Sequence, residues 1–168
     1  HAQNSAEVLQ SLIFTLTDSH RHRDIVMTDV RLKDVDFSKV HLTTCDFARC
    51  VFERVDFSDA RIHACFFDFC IFEDCTFDGC DARHSVVAGS KLLNCSFKDS
   101  LLIHTNFMGI DAHDCDFSSS DLYSSSFCSS HLVNVRFIDC NLKSADFRFT
   151  ERMGVSFKYS NYEEASFS

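Results

Sequence analysis

Apolar residues recur at every fifth position between Leu32 and Phe167, and no residue is inserted or deleted in this register. The register contains 28 consecutive units of five, and Arg152 is the one polar residue at the repeating position. A helix repeats its faces every 3.6 residues and a strand every 2.0 residues, so a period of five fits neither. It fits a chain that turns a corner after every five residues, so that each unit forms one side of a coil.

A second ordered column lies two positions before each repeating residue, which we call the centre of its unit. This column runs from Val30 to Ala165, and every member is small or β-branched. Each unit therefore supplies one large and one small side chain to an interior and leaves three positions to face solvent. Such internal repeats decide the fold more strongly than local secondary-structure preferences do.

Four units show the pattern most clearly, namely residues 35–39 (VDFSK), 45–49 (CDFAR), 115–119 (CDFSS) and 145–149 (ADFRF). In these units the chain resembles the pentapeptide repeat family, whose unit is a small residue, Asp or Asn, Leu or Phe, and two polar residues. The resemblance covers about residues 25–168. It implies an all-β solenoid, a right-handed quadrilateral parallel β-helix with four units per coil.

Four units per coil would place residues twenty apart directly above one another. One column of centres would then be unbroken phenylalanine: Phe37, Phe57, Phe77, Phe97, Phe117, Phe137 and Phe157. The opposite column would be phenylalanine with one valine: Phe47, Phe67, Val87, Phe107, Phe127, Phe147 and Phe167. Large rings on two opposite sides and smaller residues on the other two suit a narrow, filled prism. At about 4.8 Å per coil, seven coils would form a rod of roughly 34 Å.

Two places depart from the regular pattern. Residues 81–90 combine the small centres Ala82 and Val87 with Gly89, so we expect a local bulge or kink there. Arg152 occupies an inward position, where an unpaired cation would be very costly. We therefore expect its side chain to swing outward near a loosened corner.

Residues 1–24 fall outside the repeat and form the first of two expected segments, the second being the β-helix of residues 25–168. Asn4 and Glu7 have the spacing of a capping box, and an apolar stripe follows them at helical spacing. We predict a short helix near residues 5–15 that caps the first coil, because an open coil end exposes a sheet edge. Residues 20–23 (HRHR) are then interpreted as a polar connection, with a phosphate or metal role as the alternative.

Nine of the ten cysteines lie in the small inward column, and only Cys128 faces outward. A residue type confined to an inward position acts as a small hydrophobic residue. Parallel side chains stacked in a ladder are also poorly placed for bridging. We therefore predict buried free thiols, with disulfides or a metal cluster as the alternatives. Free thiols in this number favour a reducing compartment, and hence a cytoplasmic location.

No motif for nucleophilic catalysis, phosphate binding, dinucleotide binding or zinc coordination appears in the sequence. We therefore expect no enzyme activity, no cofactor and no metal, since a solid prism also lacks a substrate pocket. His41, His63, His84 and His104 fall on one side, and His84 should lie directly below His104. A metal at that pair is the alternative to two surface residues. No run of 18 apolar residues indicates a membrane span.

The outward positions of the four sides differ in chemistry. The side centred on Phe47 carries few charges, and its apolar outward residues form a candidate interaction surface: Phe66, Phe69, Val86, Met108 and Phe149. Clustered exposed apolar groups usually mark an interface, although a covering segment or simple scatter are alternatives. The side centred on Phe37 carries seven acidic residues as a candidate acidic face: Asp36, Asp56, Asp59, Asp78, Asp99, Asp116 and Asp139.

These features favour a non-catalytic scaffold that binds another protein and forms a module of a larger protein. Two alternatives come from the family resemblance. One is a DNA mimic that binds DNA gyrase or topoisomerase, as in quinolone resistance. The other is the β-helix module of a secreted bacterial effector that binds a host protein. The net charge of −9 argues against direct binding of nucleic acid.

The repeat continues to Phe167, and only Ser168 follows it. No capping segment covers this end within the sequence. We expect either that the natural protein continues beyond Ser168 or that two such uncapped ends meet in a homodimer.

Overall fold

Ten short strands run through the computed structural model, which describes Ile13 and residues 21–168. The strands are β1 (Arg21–Arg23), β2 (Arg31–Lys33), β3 (His41–Thr43), β4 (Val51–Glu53), β5 (Arg61–His63), β6 (Ile71–Glu73), β7 (Lys91–Leu93), β8 (Asp111–Asp116), β9 (His131–Arg136) and β10 (Glu151–Met153). They form two parallel sheets, one ordered β1-β3-β5 and the other β2-β4-β6-β7-β8-β9-β10. Together with the turns, they build a parallel β-solenoid of about seven coils.

Residues twenty apart are paired on all four sides of the solenoid. Leu32 pairs with Phe52 in the seven-stranded sheet, and Leu42 pairs with Ile62 in the three-stranded sheet. The other two sides are held by isolated parallel bridges with the same spacing. This register confirms the predicted fold. We name each face by its inward column: the Leu42 face (Leu42 to Leu142), the Phe47 face (Phe47 to Phe167), the Leu32 face (Leu32 to Leu132) and the Phe37 face (Phe37 to Phe157).

Every corner of the solenoid contains a residue in the left-handed backbone region. These residues recur at every fifth position from Asp24 to Glu164, and all four glycines are among them. The left-handed conformation costs an L-residue about 1–2 kcal/mol, and Gly, Asn and Asp tolerate it best. Many corners are closed by a β-turn, as where the Ala60 N–H donates to the Phe57 carbonyl at 3.1 Å. The chain therefore turns without proline and with only four glycines.

The interior is filled by stacked phenylalanine rings. The ring centroids of Phe77 and Phe97 lie 4.4 Å apart with an interplanar angle of 1°. Phe107, from the opposite column, meets Phe97 edge-on at 5.8 Å and 89°. Stacks on two sides that meet edge-to-face in the middle use both favourable aromatic geometries. The predicted column of rings is thus confirmed.

The small inward residues hydrogen-bond to the corner backbone. The Ser120 hydroxyl donates to the Phe97 carbonyl at 2.6 Å and accepts from the Ser100 N–H at 3.0 Å. The thiols of Cys70 and Cys140 likewise donate to carbonyls 23 residues earlier, each at 3.1 Å. Serine and cysteine therefore fill the same position because both are small and can donate. All ten cysteines are free, and nine are buried, which confirms the predicted inward thiols.

Residues 81–90 keep the regular register, so the predicted bulge is wrong. Asp81 and Val86 pair with residues twenty positions before and after them. His84 and Gly89 take the same left-handed conformation as the other corners. The backbone ladder does not depend on the size of the inward side chain. The small centres are instead accommodated by an interior cavity of about 20 Å³, lined by Ala82, Val87 and the surrounding phenylalanines.

Arg152 does not lie at a loosened corner, which corrects the second expectation. It stays in β10, paired in register with Leu132. Its guanidinium lies 5.2 Å from the ring centroid of Phe167 and 5.9 Å from that of Phe157. The cation therefore covers the last aromatic rings through cation–π contacts and remains exposed to solvent.

The first coil begins earlier than predicted. Arg21–Arg23 forms β1 and pairs with β3, so these residues are a strand and not a polar connection. The predicted helix near residues 5–15 lies outside the described residues except for Ile13, which is helical and packs half-buried against the core. The described part of the chain contains no helix long and apolar enough to cross a membrane.

Candidate protein-binding face

Four of the five apolar residues predicted to face outward lie together on the Phe47 face. Phe66 is 45% exposed, Phe69 67% and Met108 45%, while Val86 is half-buried. Phe66 and Val86 are direct bridge partners in adjacent coils. Ala88 and Gly89 lie in the coil between Phe69 and Met108. The Phe69 N–H donates to the Ala88 carbonyl at 2.9 Å, and the Gly89 N–H donates to the Met108 carbonyl at 2.9 Å. We call Phe66, Phe69, Val86 and Met108 the apolar cluster.

The fifth residue, Phe149, lies apart from the cluster. It is 74% exposed and occupies the same corner column as Phe69, but Gly89, Gly109 and Ser129 come between them. Four coils at about 4.8 Å separate the two corners by roughly 19 Å. Sequence reasoning also missed Ile71, which is 38% exposed and lies two residues after Phe69, in β6 on the adjoining Leu32 face. A search across corners, and not only along one face, would have found it.

Phe69 holds a conformation that the fold does not require of a phenylalanine. Its φ is +55°, which is unusual for a bulky residue. Asp29, Arg49 and Ser129 occupy the same column, so a polar residue can make this corner. A Cβ added to Gly89 would lie 2.6 Å from two atoms of the Phe69 ring, which shows that the ring covers the bare glycine. Phe149 and Tyr159 make the same kind of corner, so the position of Phe69 beside Phe66 and Met108, and not its backbone conformation, distinguishes it.

We expect Gly89→Ala to destabilise the protein more than Gly109→Ala. Both corners have nearly the same φ, +68° and +69°, so both substitutions carry the left-handed cost of about 1–2 kcal/mol. Only the Gly89 substitution also displaces the Phe69 ring, since a Cβ at Gly109 meets no atom closer than 3.9 Å. Urea denaturation followed by circular dichroism measures both costs. The difference should vanish in a Phe69→Ala background, and equal costs in the wild-type background would contradict this packing.

Asp68 places a carboxylate oxygen without a hydrogen-bond partner within the apolar cluster. Its Oδ1 atom is buried and has no hydrogen-bond partner among the described residues. Burial raises the pKa of Asp68 above its usual value. Ala48 and Ala88, one coil to either side, offer it no polar group. A buried carboxylate oxygen without a hydrogen-bond partner costs stability, so the Oδ1 atom of this half-buried residue is suited to accept a hydrogen bond from an external donor.

Ion pairs bound the Phe47 face beyond the cluster. Arg49 holds Asp29 through two hydrogen bonds of 2.8 and 2.9 Å, and this contact lowers the pKa of Asp29. Arg148 holds Asp146 in the same way at 2.9 and 2.8 Å, and the pKa of Asp146 is lowered. These charges are compensated locally. The cluster is therefore an apolar area that carries the Asp68 carboxylate, and the nearby charge of Asp46, the bridge partner of Phe66, also raises the pKa of Asp68.

Two family models match the chain. The model for pentapeptide repeats (8 copies) matches residues 31–68, and the model for the pentapeptide repeat region matches residues 90–167. Together they account for more than half of the sequence. The chain belongs to the pentapeptide repeat family.

Solved structures of other pentapeptide repeat proteins match this chain. A trypsin-treated variant of QnrB1, a plasmid-mediated fluoroquinolone resistance protein, matches with a TM-score of 0.66 at 16% identity, over 86% of this chain and 73% of that chain. HetL, involved in heterocyst differentiation regulation in the cyanobacterium Nostoc sp. strain PCC 7120, matches with a TM-score of 0.42 at 12% identity, over 93% of both chains. At 16% identity, the likeness to QnrB1 shows the fold alone. Comparison with curated protein sequences gave no match.

The acidic residues of this pentapeptide repeat protein do not form one continuous acidic surface. Asp36 and Asp56 are bridge partners, but Thr76 and Ser96 follow them in the same column. Further along, Asp116 lies 3.7 Å from Arg136. The other members of the predicted acidic face are distributed along it: Asp78 beside the centre of its unit, and Asp59, Asp99 and Asp139 at left-handed corners.

Several of these carboxylates bond to their own turns. Asp36, Asp56 and Asp116 each accept an N–H from the residue two positions later, at 2.8–2.9 Å. Asp78 accepts the Lys98 N–H at 2.9 Å and the Ser96 hydroxyl at 2.5 Å. Such local bonding explains why the repeat places Asp beside the centre.

The histidine pair occupies the predicted position. The rings of His84 and His104 stack at 5.4 Å with an interplanar angle of 14°, at an exposed corner. A different group, which sequence reasoning missed, brings more ligand atoms together. Atoms of Asp111, His113 and His131 lie within 4.8 Å of one another on the Leu32 face. The signal was present in the sequence, because Asp111 and His131 are twenty residues apart.

Proposed function

We propose that this pentapeptide repeat protein is a non-catalytic scaffold that binds a protein partner through the apolar cluster. The observation that carries this proposal is the exposure of Phe66, Phe69 and Met108 on one rigid face of the coils. Exposed aromatic and methionine side chains are enriched in the centres of protein interfaces. The filled interior supports a binding role over a catalytic one, since the cavity beneath Ala82 and Val87 holds only about 20 Å³.

The cluster also indicates the chemistry of the partner. A complementary surface would bury Phe66 and Phe69 against apolar side chains and would exclude water from Asp68. Because the Asp68 Oδ1 atom lacks a partner within the described chain, the bound protein would supply a donor, such as a lysine or arginine side chain. A charge-assisted bond in an apolar surround adds specificity to an interface. The free, buried thiols support a reducing compartment, such as the cytoplasm, as the place of this interaction.

The test compares charged substitutions inside and outside the cluster. Phe66→Asp with Phe69→Asp should abolish capture of the partner from extracts of the source cells, measured by cross-linking and quantitative mass spectrometry. Loss of aromatic contacts at an interface centre typically weakens binding by about 30-fold or more. Tyr159→Asp is the matched control, because Tyr159 is 83% exposed at a left-handed corner outside the cluster.

Asp68→Asn separates binding from folding in the same experiment. It keeps the shape of the side chain and removes a charge that burial disfavours, so the free protein should become more stable. The partner should nevertheless bind less tightly, because its donor loses a charged acceptor. If the same proteins are captured by the wild type, the Phe66/Phe69 double variant and Asp68→Asn, the apolar cluster is not the binding face.

DNA mimicry toward gyrase is the second candidate function. The net charge of −9 and the fold likeness to QnrB1, a fluoroquinolone resistance protein, favour it. The interrupted column of Asp36, Asp56, Thr76 and Ser96 supports it less than a continuous row of acids would. A gyrase supercoiling assay with and without a quinolone tests this function. Inhibition or protection that is lost in Asp36→Asn with Asp56→Asn, and retained in the Phe66/Phe69 variant, would replace the first proposal.

A further inference from the structure

The Leu32 face carries four metal-ligating side chains in three successive coils. Asp111, His131 and Glu151 are consecutive partners in β8, β9 and β10. His113 lies in β8, and the buried Ala112 separates it from Asp111. Parallel pairing aligns the first three side chains at about 4.8 Å intervals, and side chains on either side of Ala112 point to the same outer surface.

The distances bring these groups close to a coordination geometry. His113 Nε2 lies 2.8 Å from Asp111 Oδ1, and His131 Nδ1 lies 3.0 Å from Glu151 Oε2. The two imidazole centroids are 5.8 Å apart at an angle of 52°. One atom from each of Asp111, His113 and His131 lies within 4.8 Å of the others. Ligands of zinc bind at about 2.0–2.2 Å, so opposite ligand atoms lie at most roughly 4 Å apart and small side-chain rotations suffice.

The backbone beneath this group is the most regular part of the sheet. β8 and β9 contain six residues each, whereas the other strands of the described chain contain three. Ala112 and Leu132, the inward residues below the group, are fully buried. Side chains carried on rigid strands hold a ligand set more accurately than side chains on loops do.

We propose that Asp111, His113 and His131 bind a divalent transition-metal ion such as Zn²⁺, with Glu151 as a fourth ligand. Imidazole nitrogens select zinc, cobalt, nickel or copper over magnesium and calcium, which prefer oxygen ligands alone. The two carboxylates balance the charge of the ion. Glu151 is the most exposed of the four side chains, so it is the ligand that water or a group from a partner would replace most easily.

Other histidines of the described chain lack such a set. The stacked pair of His84 and His104 offers two imidazoles and no adjacent carboxylate in its corner column, where Ala64 and Ser124 flank it. His63 Nε2 lies 2.8 Å from Asp81, but Arg83 holds the same carboxylate at 2.8 Å. The guanidinium would repel a metal ion there. These two sites therefore serve as natural comparisons for the proposed one.

Titration of the untagged, chelator-treated full chain with Zn²⁺ and Co²⁺ tests the proposal. We expect one tight site by calorimetry and visible cobalt absorption of a low-symmetry complex. His113→Gln with His131→Gln should weaken binding by more than about tenfold, since even outer partners of a metal ligand contribute about 10–100-fold. His84→Gln with His104→Gln removes the same number of histidines and should leave this binding unchanged.

A second measurement on the wild-type chain needs no variant to fold. Zinc should first perturb the imidazole nitrogen resonances of His113 and His131 in heteronuclear spectra, at less than one equivalent. Three outcomes would overturn the proposal: absence of binding in the wild type, retention of full affinity in the His113/His131 variant, or first perturbation of His84, His104 or the N-terminal histidines.

Discussion

Phe97→Ala is expected to lower the free energy of unfolding by about 3–5 kcal/mol, as for other large buried aromatic residues. Phe97 is only 3% exposed, and its ring stacks on Phe77 at 4.4 Å and on Phe117 at 4.8 Å. Truncation removes both stacking contacts and the edge-to-face contact with Phe107. It also enlarges the existing cavity, which Phe97 lines. Urea denaturation followed by far-ultraviolet circular dichroism measures the loss.

Phe149→Ala is the matched control for this substitution. It removes the same side chain from a corner where the ring is 74% exposed, and surface changes of this kind usually stay within about 0.5 kcal/mol. A cost below about 1 kcal/mol for Phe97→Ala would contradict its place in the stacked column. So would equal costs for the two substitutions.

The second large effect is a steep loss of stability in alkaline solution. Burial raises the pKa of Cys70 and Cys80 to about 12 and that of Cys140 to about 11, from an ordinary value of 9.0. A thiol is uncharged when protonated, so the unfolded chain ionises first as the pH rises. The full stability is present below about pH 9 and is lost progressively between pH 9 and 12. Each thiol contributes a slope of about 1.4 kcal/mol per pH unit, which makes roughly 4 kcal/mol per pH unit for three.

That slope is large beside the 5–15 kcal/mol that stabilises a typical domain, so unfolding is expected within a few pH units above 9. Reaction with a thiol reagent measures this alkaline unfolding. Below the pH of the transition only the half-buried Cys128 should react, and above that pH all ten cysteines should react. Cys80→Ser with Cys140→Ser is the control, because Ser100, Ser120 and Ser160 already occupy the same column and do not titrate in this range. A variant with an unchanged alkaline slope would show that the thiols do not cause it.

The fold could be predicted because every coil of the solenoid requires the same pattern of large and small inward side chains. Phe77 and Phe97 are twenty residues apart, and the coil spacing alone brings their rings into contact. The restriction of nine cysteines to one inward position likewise predicts free thiols from the sequence alone. The corner conformation was also recoverable, since all four glycines and many aspartates, such as Asp34 and Asp74, occupy the left-handed positions.

The register did not predict details that depend on side-chain conformation, on tolerance of a cavity or on distance along the solenoid. The length of the Arg152 side chain lets its guanidinium return over Phe167, although its Cα lies at an inward position. Residues 81–90 keep their ladder because backbone hydrogen bonds tolerate a small cavity. Phe149 shares a face with Phe69, but its distance along the rod is set by the number of intervening coils. The Asp111 group would have been found by comparing the residues that flank the centres of neighbouring coils. Asp111 and His113 flank Ala112, and His131 precedes Leu132 in the next coil.

The corner at every fifth residue also governs how such a chain can change its length. Insertion of twenty residues between the apolar cluster and the group of Asp111, His113 and His131 would add one complete coil. The two sets of residues would then keep their relative direction around the solenoid axis. Insertion of five residues at the same place would move every later residue to the next face of the solenoid. The apolar cluster and the Asp111 group would then face in directions that differ by a further quarter turn. Evolution of this architecture can therefore change the relative orientation of two binding surfaces in steps of a quarter turn, without changing the residues of either surface.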